Sequence, residues 1–194
     1  RIEGTTTWTG AARLAASTTT LGFNGGASLP GDVIFEGAAT GVRAITMVTA
    51  GTLTIPAGVA VYTEPGFLGT GQLGGSQHWA SAMNLVNEGT IVFQSTASRS
   101  LDFRATTVVN NATIGCTTSD LSFVTGFVNT GAMSSTSGKA VFGGAWDNSA
   151  GTVSLVDGDL TLGGTFTTAG VGTINRSGTT TVSLTGALEP VAHD

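Results

Sequence analysis

The stretch VNEGTIVFQSTASRSLDFRATT (86–107), VVNNATIGCTTSDLSFVTGF (108–127), VNTGAMSSTSGKAVFGGAW (128–146), DNSAGTVSLVDGDLTLGGTFT (147–167) and TAGVGTINRSGTTTVSLTGAL (168–188) reads as one phrase written five times. Stacked, the copies align Ile91, Ile114, Met133, Val153 and Ile174 in one column and Leu101, Leu121, Ala140, Leu160 and Val182 in a second. Val108, Phe127, Trp146, Phe166 and Leu188 form a third. The step is 19 to 23 residues, a period that belongs to solenoids. A polar column of Asn87, Asn110, Asn129 and Asn148 runs just ahead of the first and breaks at Thr168 or Ala169.

Local propensity chooses between the solenoids that share this period. The copies are rich in Thr, Val, Ile and Phe separated by Gly and Asn and hold few helix formers, which excludes a helical array. Within each copy apolar residues alternate with Thr or Ser, as in Leu121-Ser122-Phe123, Leu160-Thr161-Leu162 and Val182-Ser183-Leu184, the period of a strand with one buried face. Three such strands per copy predict an all-β, right-handed parallel β-helix with coils of about 20 residues and eight or nine coils. Each column then becomes a ladder of like side chains pointing inward, strands about 4.8 Å apart. Phe127, Trp146 and Phe166 are expected to stack in one aromatic ladder, with Thr167 outside it and tolerant of Ala. The Asn column is expected at a corner, where Asn accepts positive φ, with its amides bonded from coil to coil. Short strands with Gly-rich turns also describe a β-sandwich, the alternative fold.

Residues 1–194 are expected to form a single domain with 86–188 as its regular part. Residues 1–36 read as less regular N-terminal coils or a cap. In 37–63, Thr46-Met47-Val48, Thr52-Leu53-Thr54-Ile55 and Val59-Ala60-Val61-Tyr62 are strands, with Pro56-Ala57-Gly58 as a corner. Counting back from Ile91 lands on Leu73 and then Leu53, which predicts that the period continues. Residues 64–85 (EPGFLGTGQLGGSQHWASAMNL) are an irregular coil or protruding loop. Loops that leave a regular scaffold are where binding is placed, so His78 and Trp79 are the candidates for surface binding. The structural reading sets Trp79 as a cover for the core.

Composition narrows the function classes. The chain has 194 residues, 40% hydrophobic, with 30 glycines, and only 10% charged against roughly 25% in ordinary domains. Its net charge is -5, and Arg1, Arg13, Arg43, Arg99, Arg104, Lys139 and Arg176 are scattered, which gives no support to a nucleic-acid or anionic-membrane partner. No apolar run approaches the roughly 18 residues that span a bilayer, and no secretory leader pattern precedes Arg1. These features predict a soluble chain or a processed piece of a longer one. Cys116 is the sole cysteine and is expected to be a buried thiol in a strand.

Residues for chemistry are sparse. A polysaccharide lyase on a β-helix needs clustered acids and a base on one strand face. The close acidic pair is Asp157-Gly158-Asp159, with Asp147 earlier and no Arg or Lys repeated nearby, so a solvated turn is the expectation. His78, His193 and one Cys make no zinc set, there is no nucleophile-elbow motif for a Ser-His-Asp arrangement, and Gly71 to Gly75 is a turn without a following Lys. No catalytic residue, cofactor or metal is expected. Thr52-x-Thr54 and Thr179-x-Thr181 have the form of the Thr arrays with which β-helical ice-binding proteins order water. Matching positions in other copies are Ser, Asp, Gly or Lys, which makes ice binding a minor alternative.

Trp8-Thr9-Gly10, Gly25-Gly26 and Pro30-Gly31-Asp32-Val33-Ile34-Phe35, followed by Asn87-Glu88-Gly89-Thr90-Ile91, Gly151-Thr152-Val153 and Leu160-Thr161-Leu162-Gly163-Gly164, resemble autotransporter-like, adhesin-type β-helical repeats over most of the chain. The resemblance implies an extracellular or cell-surface structural or adhesive protein, secreted by a bacterium. A parallel β-helix also leaves unpaired backbone on its first and last coils. Thr5-Thr6-Thr7-Trp8 at one end and Thr185 to Asp194 at the other offer little cover, so the expected partner is another copy stacked head to tail into a fibre or coat, or neighbouring coils of a longer chain. Surface glycans are the further candidate partner, through a carbohydrate-binding or lyase-like β-helix.

Overall fold

The structure, a computed structural model, describes residues 8–75, 78–79, 81–95 and 99–190. It is an all-β solenoid of about eight turns, and every strand pair among the described residues is parallel. That pairing rules out the sandwich. Each coil visits three faces. Face 1 stacks Ala12–Leu14, Val33–Phe35, Ala60–Thr63, Thr90–Gln94, Thr113–Thr117, Ala132–Thr136, Thr152–Val156 and Thr173–Ser177. Face 2 stacks Thr19–Phe23, Val42–Met47, Thr70–Leu73, Ser100–Phe103, Asp120–Phe123, Lys139–Phe142, Asp159–Leu162 and Val182–Leu184. Face 3 stacks Ala27–Ser28, Gly51–Ile55, Met83–Asn87, Thr107–Asn110, Gly126–Asn129 and Trp146–Asp147, then continues as the separate pair Thr165–Phe166 and Ala187–Leu188.

The register stacks like on like. Ile91, Ile114, Met133, Val153 and Ile174 are successive partners on face 1, and Leu101, Leu121, Ala140, Leu160 and Val182 are partners on face 2. Val108, Phe127 and Trp146 follow on face 3, with Phe166 on Leu188 beyond. All but Ile174, Val182 and Leu188 are buried. Alternation places these residues inside and the Thr and Ser between them outside, and each large buried side chain contributes about 2 to 3 kcal/mol. The rings mix between faces: Phe103 stacks on Phe123 at 4.3 Å and Phe123 on Phe127 at 3.9 Å. Trp146 stacks on Phe166 at 4.6 Å, while Phe142 joins Phe127 and Trp146 at 5.1 and 5.2 Å. Thr167 is no spectator beside this stack, since its Oγ1 accepts the Gly170 N–H at 3.0 Å and holds the short 3-10 turn Ala169–Val171.

The Asn column forms a continuous buried amide ladder. Asn87 Nδ2 donates to Asn110 Oδ1 at 2.7 Å, Asn110 to Asn129 at 2.7 Å and Asn129 to Asn148 at 2.6 Å. Each of the four also donates to a backbone carbonyl one coil ahead, at Thr113, Ala132, Thr152 and Thr173. Bonding of this kind is what lets a buried amide persist, because an unpaired one costs about 1 to 3 kcal/mol. Gly151 leaves room for it, since a Cβ there would lie 2.4 Å from Asn129 Nδ2. These asparagines do not use positive φ. The left-handed non-glycine residues belong to the corner between faces 1 and 2, at Thr18, Thr118, Ser137 and Asp157, where one residue must reverse the chain between two strands.

The period does not continue unchanged before Ile91. Ile91 pairs with Val61 and Val61 with Val33, so these coils take 30 and 28 residues. Leu73 instead pairs with Phe103 on face 2, and Leu53 with Leu85 on face 3. In the 28-residue coil the surplus lies mainly between Val33–Phe35 and Val42–Met47, and in the 30-residue coil it lies between Ala60–Thr63 and Thr70–Leu73 and between Thr70–Leu73 and Met83–Asn87. Arg43 occupies an inward position of face 2, one coil step from Gly71 and two from Leu101, and is fully buried. Its guanidinium donates to the carbonyls of Ala39 at 2.7 Å, Ala15 at 2.9 Å, Gly41 at 3.0 Å and Glu36 at 3.4 Å, and lies 5.1 Å from the Phe67 ring centroid. Desolvation pulls its pKa below the usual guanidinium value. Of the expected N-terminal strand, Thr5 to Thr7 lie outside the described residues.

Candidate functional site

Trp79 packs on the outside of face 2, not over the interior: a Cβ on Gly22 would sit 2.6 Å from Trp79 Cζ3. Thr46, the partner of Gly22, is buried there although it alternates with the core residues Ile45 and Met47. His78 is exposed and its ring centroid is 6.1 Å from that of Trp79. The pair therefore sits together on the surface, with Trp79 anchored by packing. Ser81 ties the same segment down by donating to the Val48 carbonyl at 2.8 Å.

The acids serve the coil. Asp157 Oδ1 accepts the Thr179 N–H at 2.8 Å and Asp159 Oδ1 the Thr181 N–H at 3.0 Å, each one coil ahead. Asp32 and Asp120 accept the N–H groups of Ala60 and Lys139 in the same way. Carboxylates occupied by backbone donors are turn-closers. Arg13 pairs with Glu36, and with Glu64 at 3.2 Å, across three coils. Cys116 is buried, donates weakly to Ser135 Oγ at 3.4 Å, and burial pushes its thiol up to about 11. No group of three or more His, Cys, Asp and Glu is placed to hold a metal among the described residues.

Three surface features remain. The first is a groove of about 270 Å³ where the face 3 ladder narrows to the single bridge Ala145–Thr165. Phe127, Trp146 and Phe166 underlie it, with Asp147, Glu189, Thr165 and Thr167 also lining it. The sequence signal for it is the shortening of the strands to two residues at Trp146–Asp147 and Thr165–Phe166. The second is the last described coil, whose inward positions are incompletely covered among the described residues: Leu184 is 68% and Leu188 54% exposed, and Ile174 and Val182 are half-buried. Arg176 also takes an inward position there, as the partner of buried Leu155, yet is exposed.

The third is the outside of face 1. Pairing puts Ala60, Thr90, Thr113, Ala132, Thr152 and Thr173 in one outward column. Beside it run Tyr62, Val92, Gly115, Ser134, Ser154 and Asn175, and then Gln94, Thr117, Thr136, Val156 and Ser177. The Thr pairs marked by the sequence lie elsewhere: Thr52 and Thr54 face out from face 3 beside Asn84 and Val86, and Thr179 precedes the strand Val182–Leu184. Comparison with protein-family models, curated proteins and solved structures finds no match.

Proposed function

We propose that the chain is an extracellular structural or adhesive rod at a bacterial surface, and that copies join head to tail into a fibre or coat. The open last coil is the observation that carries this reading. Three strand edges, Thr173–Ser177, Val182–Leu184 and Ala187–Leu188, end the solenoid among the described residues, with Leu184 and Leu188 exposed beside them. The first described strands of the three faces, Ala12–Leu14, Thr19–Phe23 and Ala27–Ser28, are their counterparts. Unpaired strand edges with apolar neighbours are templates for a further strand. A contact of one end on the other is heterologous and does not close, so it grows a filament.

Arg176 sets the terms of that contact. Continued in register, the ladder places Leu14 of the next copy over it, and a desolvated guanidinium then needs carbonyl acceptors such as those around Arg43. Light scattering and negative-stain imaging of the intact chain over rising concentration test the reading. Growth into fibres, abolished by removing residues 186–194 and strengthened by Arg176→Leu, is the expected result. A chain that stays monomeric at high concentration refutes stacking and assigns the cover of the last coil to neighbouring coils of a longer chain. The groove above Trp146 and Phe166 favours glycan binding as a second reading, since its Thr165 and Thr167 hydroxyls and its Asp147 and Glu189 carboxylates suit the hydroxyls of a sugar. Glycan-array binding that Asp147→Ala and Glu189→Ala both weaken would support it.

A further inference from the structure

We infer that the outside of face 1 is an ice-binding surface. This goes beyond the fibre reading and uses a different part of the molecule. Its outward positions carry no charged residue from Ala60 to Ser177, whereas face 2 presents Asp102, Asp120, Lys139 and Asp159. In place of charge, face 1 presents a net of hydroxyls and methyls. Parallel pairing spaces these positions about 4.8 Å apart across the strands and alternation about 6.6 Å along them, with hydroxyls at Thr90, Thr113, Thr152 and Thr173 in the first column, Ser134 and Ser154 in the second, and Thr117, Thr136 and Ser177 in the third.

Charge and size select the partner. A neutral, periodic array has no complement on a nucleic acid, an anionic lipid or a strongly charged protein. Apart from Tyr62 near its start, the face has no aromatic platform on which a sugar ring would stack. The side chains at its centre, Thr113, Ala132, Ser134, Thr152 and Ser154, are small or β-branched, with the bare backbone of Gly115 among them. β-Branched side chains are restricted at χ1, so less side-chain entropy is lost when a second lattice settles on them. Hydroxyls held at lattice-like spacings on a flat sheet face hydrogen-bond ordered water, and the methyls of Thr, Ala and Val between them exclude disordered water. A crystal of water is the neutral, periodic, hydrogen-bonding solid that fits.

The test uses the full chain in a slowly growing ice front, together with the rate of ice recrystallisation. Enrichment of the protein in the ice several-fold over a non-binding control, with slowed recrystallisation, is the expected result. Thr113→Arg and Thr152→Arg, each outside the core, should abolish both effects and leave the melting midpoint and circular dichroism unchanged. Thr161→Arg, on the outside of face 2, should keep them. The inference is overturned if the unaltered chain is excluded from ice like the control, or if Thr161→Arg is as damaging as Thr113→Arg. Retention on crystalline cellulose combined with exclusion from ice would overturn it too and assign the face to a polysaccharide. Failure of fibre growth has no bearing on either outcome, which keeps the two readings separable.

Discussion

The two long coils from Val33 to Ile91 and the shorter coils from Ile91 to Ile174 have one architecture and are held in opposite ways. The shorter coils repeat a single solution: Asn on Asn, Phe beside Phe, a left-handed residue at Thr118, Ser137 and Asp157. The long coils are fastened by devices used once, namely Arg43 among four carbonyls, Trp79 over Gly22, and Arg13 between Glu36 and Glu64. A repeated bond can lose one member and keep its neighbours, whereas a singular one has no substitute. Surplus turn residues need such fasteners, because no adjacent coil supplies a matching turn to stack on.

The largest effect should come from Arg43→Ala, which leaves the carbonyls of Ala15 and Ala39 without the guanidinium donor inside the fold, while Gly41 keeps the Thr70 N–H. A loss of about 5 kcal/mol in urea unfolding is expected; a loss below that of Phe123→Ala would break the contrast. Phe123→Ala should cost about 4 kcal/mol, since its ring touches Phe103, Phe127 and Phe142. Asn129→Val interrupts the amide ladder in the middle and should cost about 2 kcal/mol. Amide exchange should rise only in the coils on either side of it; exchange spreading to the Val33–Ile91 coils would show that the two regions are not separately fastened.

The smallest effect concerns pH. Cys116 has a folded pKa of about 11 against an ordinary 9.0, so the fold favours the neutral thiol. That stability is complete below about pH 9 and is lost as pH rises towards 11, reaching about 1 kcal/mol by pH 10. Urea midpoints measured from pH 8 to 10 should fall more in the unaltered chain than in Cys116→Val.

The contrast also explains what the sequence discloses. Columns such as Ile91 to Ile174 are legible because in-register stacking demands like residues at a near-constant spacing. Leu73 and Leu53 mislead because apolar residues recur on all three faces, and a coil lengthened in its turns moves the count from one face to another. Arg43 is hidden for a related reason: its acceptors are backbone carbonyls, which leave no mark in side-chain identity. The Thr column of face 1 escapes a search for Thr-x-Thr within a strand because its period runs across strands. The groove is marked only by the shortening of strands to two residues, which has no residue type of its own. Asn87, Asn110, Asn129 and Asn148 are visible as a column, but their conformation is not, since the amide bonds and not a left-handed turn fix them there.

The amide ladder has a direction, every Nδ2 pointing to the following coil. Any asparagine in it can therefore receive the bond from any earlier one, provided whole coils separate them. Excising Asn110 to Val128 would bring Asn129 onto Asn87, with Phe127 lost and Trp146 brought onto Val108 in the same stroke. Duplicating those residues would add one rung and disturb no other. In evolutionary terms the chain's length is a copy number: unequal recombination between repeats can extend or trim the rod in single-coil steps, each product keeping an unbroken run of hydrogen bonds.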